Sequence, residues 1–125
     1  MAKITIIIPV YNAEKTLKKC LDSVQKQNYK GYEVVIVDDC STDDSVSIAE
    51  DYGYRLIQLK ENSGAGKTRN IGAKEARTEL IAFTDSDCIL PVDWLSRIIK
   101  SFETKKFKFI CGGYSGAEGK NFQEK

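Results

Sequence analysis

Ile4-Thr5-Ile6-Ile7-Ile8-Pro9-Val10-Tyr11-Asn12 is the stretch whose reading decides the fold. From Ile4 to Val10 the run is β-rich and apolar without polar alternation, the pattern of a strand covered on both faces, and Tyr11-Asn12 ends it. The period then changes. From Ala13 to Gln27 the apolar positions are Leu17, Cys20, Leu21 and Val24, a helical i, i+3, i+4, i+7 stripe among lysines and glutamines, with Asn12 placed to cap it. A doubly covered strand followed by an amphipathic helix opens a parallel βαβ unit.

The unit repeats. Tyr32 to Val37 is a second buried strand ending in Asp38-Asp39, after which Ser41-Thr42-Asp43-Asp44 offers caps for a helix to about Tyr52. Arg55 to Leu59 is a third strand. The Gly-containing loop Asn62 to Gly66 leads into a helix of small residues reaching about Arg77, and Leu80 to Thr84 is a fourth strand closed by Asp85-Ser86-Asp87. Pro91 suits the first turn of a helix that buries Leu95, Ile98, Ile99 and Phe102, and Phe107 to Cys111 returns as a fifth strand. This alternation means an α/β fold, a doubly wound, mostly parallel sheet with helices on both faces. Residues 1–113 read as one domain. Residues 114–125 read as a polar tail, expected to be poorly ordered.

Composition narrows the chemistry. Of 125 residues, 19 are Lys or Arg and 18 Asp or Glu, so no strong field favours a nucleic-acid backbone or an anionic membrane surface. With no histidine, His-ligated zinc and His acid–base catalysis are excluded, and metal chemistry must rest on carboxylates. Cys20, Cys40, Cys88 and Cys111 form no CxxC pair and lie in or beside apolar segments, as reduced cysteines of a cytoplasmic protein would. No apolar run reaches membrane-spanning length and no signal sequence opens the chain, so the reading is a soluble, cytoplasmic protein without a membrane segment.

Ligands of doubly wound sheets bind beyond the carboxyl ends of the strands, near the point where strand order reverses. The polar strand ends Tyr11-Asn12, Asp38-Asp39 and Asp85-Ser86-Asp87 should converge there. In an extended segment Asp85 and Asp87 project to one side, and crowded carboxylates either take up protons or hold a divalent cation. An all-oxygen ligand set suits Mg²⁺ or Mn²⁺ with a phosphate completing the shell. The plainer alternative is that these residues only make turns and cap helices.

Gly64-Ala65-Gly66-Lys67-Thr68 between a strand and a helix mimics a phosphate-binding P-loop. The full motif needs glycine where this chain has Glu61, whose side chain opposes wrapping around phosphate. In a different frame the same stretch reads Asn62-Ser63-Gly64 and Arg69-Asn70-Ile71-Gly72. Together with Pro9-Val10-Tyr11-Asn12 and Glu14, Val37-Asp38-Asp39 with Ser41 and Asp43, and Asp85-Ser86-Asp87, it resembles the family 2 glycosyltransferases, piece by piece and in order over most of residues 4 to 113. Thr68, where alanine is usual, and Cys40, where glycine or asparagine is common, depart from the pattern.

The resemblance implies the Rossmann-like, nucleotide-sugar-binding half of a GT-A fold. Pro9, Tyr11 and Glu14 would line the base pocket, Asp39 would hydrogen-bond the base and Asp38 would support the loop. Asn62, Gly64, Lys67 and Arg69 would close over the nucleotide, Asp85 and Ser86 would face the ribose and the metal's surroundings, and Asp87 with Asp85 would hold Mn²⁺ or Mg²⁺ on the diphosphate. The implied partner is a nucleoside-diphosphate sugar, a UDP-sugar being favoured, and the implied reaction is transfer to an acceptor hydroxyl with inversion. The general base and acceptor site of that reaction are expected beyond Lys125, so that this chain alone would bind donor with little turnover. A non-catalytic nucleotide-sugar-binding module and a P-loop phosphotransferase are the alternatives.

Overall fold

Four parallel strands and four helices carry the site. The structure, a computed structural model, describes residues 2–105, 110–112 and 122–124, with side chains described for residues 2–103. The strands β1 (Ile4–Val10), β2 (Tyr32–Asp38), β3 (Arg55–Gln58) and β4 (Leu80–Phe83) alternate with the helices α1 (Leu17–Gln25), α2 (Ser45–Glu50) and α3 (Ala65–Glu75), and α4 (Trp94–Lys105) follows β4. The sheet order is β3-β2-β1-β4, all parallel. The chain therefore winds outward from β1 to β3, then crosses back to the other side of β1. That reversal lies between β1 and β4.

The pleat divides the core into two unequal layers. Even-numbered residues Ile4, Ile6, Ile8, Val10, Val34 and Ile36 form one apolar cluster with Leu17, Leu21 and Val24 of α1 and Trp94, Leu95, Ile98 and Ile99 of α4. The expected stripes of both helices are thus the buried ones. Odd-numbered Ile7 and Val37 face α3, and a Cβ built on Gly72 would lie 2.5 Å from Ile7 Cγ2 and 3.2 Å from Val37 Cγ2. Only glycine lets α3 sit this close to the sheet. Helices accordingly cover both faces, as the strand–helix alternation predicts.

Proline inside a central strand ordinarily costs a ladder bond. Here the ladder between β1 and β4 closes with Thr84 N–H donating to Ile7 O (3.2 Å), while Val10 O turns the other way and accepts from Asp39 N–H (2.8 Å). Pro9 shares the orientation of Ile7, so its missing N–H falls where β4 has already ended. Proline is tolerated because no partner remains beside it.

Two local expectations change. Asn12 does not cap α1; Thr16 precedes that helix, and Asn12 Oδ1 accepts instead from Thr42 N–H (2.8 Å). The fifth strand expected over 107–111 is described only from Ile110: β5 (Ile110–Gly112) pairs antiparallel with β6 (Phe122–Glu124), outside the four-stranded sheet. The remainder of that expected strand, and all of the expected tail except Phe122–Glu124, lies outside the described residues. Among the described residues no helix is long and apolar enough to cross a membrane, and Cys20, Cys40 and Cys88 are free thiols.

Candidate nucleotide-sugar and metal site

The ends of β1, β2 and β4 and the start of α3 enclose one cleft of about 630 Å³ at the strand-order reversal. Pro9, Tyr11, Asp39, Asn62, Gly64, Arg69, Asp85, Ser86 and Asp87 all line it. Residues from four separate stretches of chain are thereby brought to one place. Glu14, Asp38 and Lys67 are not among its lining residues. Lys67 is exposed, and Asp38 is buried beneath the β2 end, where Oδ2 accepts from Ser41 N–H (3.0 Å) and Oδ1 has no hydrogen-bond partner.

Tyr11 is 53% exposed at the rim, a large aromatic held in water at the end of a buried strand. Its loop is tied to the loop after β2. Asn12 N–H donates to Ser41 Oγ (2.8 Å), Ala13 N–H to Ser45 Oγ (2.8 Å), and Glu14 N–H to Asp43 Oδ2 (3.1 Å). In return Thr42 N–H donates to Asn12 Oδ1 and Asp44 N–H to Glu14 Oε1 (3.2 Å). Two segments about thirty residues apart satisfy each other's backbone groups, as a sheet edge would.

Two residues in these loops sit in the left-handed region, Asn12 at φ 48° and Cys40 at φ 68°. Asparagine is at home there and cysteine is not. The glycine or asparagine that the resemblance leads one to expect at the Cys40 position would suit this backbone. Cys40→Asn is expected to raise stability by about 0.5–1 kcal/mol, since asparagine relieves the left-handed strain without the chain entropy of glycine. A thermal melt of the variant beside the parent checks this.

Asp39 anchors the opposite wall. Its Oδ1 accepts from Ser63 N–H (2.7 Å) and its Oδ2 from Gly64 N–H (2.9 Å), and Gly64, at φ 91° and ψ 159°, holds a conformation open essentially to glycine alone. Two amides at the start of the stretch that mimics a P-loop, those of Ser63 and Gly64, are thus taken by this carboxylate. Arg69, one turn into α3, reaches across so that Nη2 donates to Asp85 Oδ1 (3.0 Å).

Asp85 and Asp87 are both exposed, and oxygens of the two lie within 4.8 Å of each other and of Cys88 Sγ. Burial pushes the Cys88 thiol above its usual range, against hydrogen bonds from the Asp85 backbone and Thr84 that lower it. Cys88 is buried while the two carboxylates are exposed, so the accessible donors are oxygens, which favour a hard cation. The donor set fits Mg²⁺ or Mn²⁺, with the open side of the carboxylates facing the cleft.

The turn carrying these aspartates is held from beneath by α1. Cys20 Sγ donates to Asp85 O (3.5 Å), its thiol pushed up to about 12 by burial. Ser23 Oγ accepts from Leu90 N–H (2.9 Å), and buried Gln27 accepts from Leu95 N–H (2.9 Å) while donating to Pro91 O (2.6 Å). Ser23 and Gln27 escape a reading for polar strand ends. Gln27 nonetheless continues the Cys20–Val24 stripe, and a polar residue on a buried stripe implies a specific partner. Trp94 is 2% exposed and belongs to the apolar cluster under the sheet.

The family model described as "Glycosyl transferase family 2" matches residues 5–125. Over 94 residues the chain is 45% identical to the poly(ribitol-phosphate) beta-N-acetylglucosaminyltransferase TarS of Staphylococcus aureus, covering 70% of this chain and 16% of that protein. It is 36% identical over 116 residues to the glycosyltransferase GlyA of Streptococcus pneumoniae, covering 90% of this chain and 17% of the relative. The structure of S. aureus TarS 1–349 in complex with UDP-GlcNAc superposes with a TM-score of 0.84 at 32% identity, over 95% of this chain and 37% of that one. The mannosyltransferase PcManGT of Pyrobaculum calidifontis, solved with GDP-Man and Mn²⁺, gives 0.79 at 25% identity, over 90% and 35%. The chain thus spans about a sixth of the length of these two curated relatives.

Proposed function

The chain belongs to glycosyl transferase family 2, and we propose that its cleft binds a nucleoside-diphosphate sugar, a UDP-sugar being favoured, for transfer of the sugar to an acceptor hydroxyl with inversion. The observation that carries this is the position of Asp85 and Asp87. Two exposed carboxylates stand at the β4 end, across the strand-order reversal from an exposed aromatic, in a cleft sized for a nucleotide.

The residues divide the work by position. Tyr11 and Pro9 offer a face for the base, and Asp39, whose oxygens already hold Ser63 and Gly64, keeps lone pairs for a base N–H. Asn62 and Gly64 bring the α3 loop close above, and Ser86 lies between the two carboxylates. Asp87 and Asp85 would hold Mn²⁺ or Mg²⁺. When bound, that ion stabilises the negative charge that grows on the departing diphosphate. Arg69, which pairs with Asp85, would be a cation available to the same phosphates. Lys67 supplies field rather than a contact, and Asp38 and Glu14 act on the loops.

Among the described residues the cleft's carboxylates are Asp39, Asp85 and Asp87, all with roles on the donor side. With these three given to the donor, the base for the acceptor hydroxyl is placed by this reading outside the described residues. The free thiols of Cys20, Cys40 and Cys88 support a cytoplasmic location.

Thermal shift tests the donor reading. UDP with Mn²⁺ is expected to stabilise the protein by about 2–3 kcal/mol at a hundredfold excess over its dissociation constant, and a chelator to remove most of that gain. Stabilisation by UDP that is indifferent to chelator, or stronger stabilisation by ATP, would count against it.

A further inference from the structure

Glu14 and Asp43 carry charge near the cleft without lining it, and both are joined to the rim by carboxylate-to-backbone hydrogen bonds. We infer that these two side chains are positioning residues: they clamp the loop after β1 to the loop after β2 and so fix the ring of Tyr11 at the cleft rim before any nucleotide arrives. The inference rests on the proposed function for what Tyr11 receives, while the clamp itself is independent of it.

The geometry is reciprocal. Asp43 Oδ2 accepts the Glu14 N–H (3.1 Å) and its Oδ1 accepts the Ser45 N–H (2.9 Å), joining the β1 loop to the start of α2. Glu14 Oε1 answers by accepting the Asp44 N–H (3.2 Å). Each carboxylate thus takes a backbone proton from the other's loop. Asn12, immediately after Tyr11, is held at φ 48° between Ser41 and Thr42, so the backbone that aims the tyrosine has little freedom left. An exposed aromatic has few packing contacts to orient it, and an ordered backbone is what remains. Holding a binding surface in its bound arrangement beforehand lowers the ordering cost of association.

Glu14→Gln and Glu14→Ala separate this role from a direct contact. Glutamine keeps an oxygen for the Asp44 N–H and loses the charge, whereas alanine loses both. By calorimetric titration of UDP with Mn²⁺ present, Glu14→Gln is expected within about twofold of the parent and Glu14→Ala roughly fivefold weaker, the scale of one lost hydrogen bond. Asp43→Ala, which removes two acceptors, should bind more weakly still. Manganese binding alone, read by electron paramagnetic resonance, should not change, because the clamp does not touch Asp85 or Asp87.

Glutamine as damaging as alanine would mean that the charge itself acts and would overturn the clamp, as would parent-like UDP binding by Glu14→Ala. Amide hydrogen exchange without nucleotide gives a second readout. Glu14→Ala should speed exchange of the Asn12–Glu14 and Thr42–Ser45 amides about tenfold, with Glu14→Gln close to the parent; unchanged exchange in Glu14→Ala would overturn the clamp. A parent protein that binds no UDP would refute the proposed function instead, and exchange would still decide the clamp.

Discussion

Asp87→Ala is expected to lose Mn²⁺-dependent UDP binding by a factor on the order of 100 or more while melting like the parent. Both halves follow from its surroundings. The carboxylate is exposed, and its described contact within the protein is Cys88 Sγ at 3.9 Å, too long and too weakly polar to support the fold. Removing a ligand from a site with two carboxylates halves its formal charge, and the loss should exceed the roughly 10–100-fold typical of residues that only orient ligands. Asp85→Ala should cost less, because it also releases Arg69, freeing a cation for the diphosphate. Titration of UDP with and without Mn²⁺ reads both variants. If Asp87→Ala keeps the parent's manganese-dependent affinity, the metal does not sit on this residue.

Gly72→Ala should destabilise the fold by about 1–3 kcal/mol, or roughly 5–15 °C in melting temperature for a chain of this size. Helix propensity alone predicts the opposite sign, since alanine in mid-helix is favoured over glycine by nearly 1 kcal/mol. Packing wins. The new methyl would lie 2.5 Å from Ile7 Cγ2, and neither Ile7 nor Val37, both β-branched and fully buried in central strands, can swing aside. Relief must come from lifting α3, which carries Arg69 and, through Gly64, the Asp39 anchor. UDP affinity should therefore fall along with stability, and a melt at or above the parent's would refute the close approach.

Much of this was legible in the residues because the informative patterns are local. The apolar run at β1, the stripes of α1 and α4, and the polar ends of β1, β2 and β4 each occupy a few neighbouring positions. What stayed hidden depends on residues far apart in the chain. Glu14 looks like a pocket residue until its carboxylate is found on Asp44, thirty positions away, and Asn12 looks like a helix cap until Thr42 claims its oxygen. Cys40 was visible as a departure from the family pattern, but its reason is a φ of 68°, a quantity that sequence does not carry. Gly72 belongs to the Arg69-Asn70-Ile71-Gly72 stretch; its function as a spacer appears only when α3 lies on the sheet. Ser23 and Gln27 hold the segment after Asp87 through backbone groups more than sixty residues later, beyond any window of periodicity.

Pro9 has a use beyond being tolerated. The next rung of the ladder after Thr84 N–H to Ile7 O would require an N–H from Pro9. Without it the two strands stop zipping at a fixed tooth, and the chain leaves the sheet at Thr84 to turn through Asp85, Ser86 and Asp87. The span between the aromatic rim and the carboxylates is thus gauged by a hydrogen atom that proline does not have.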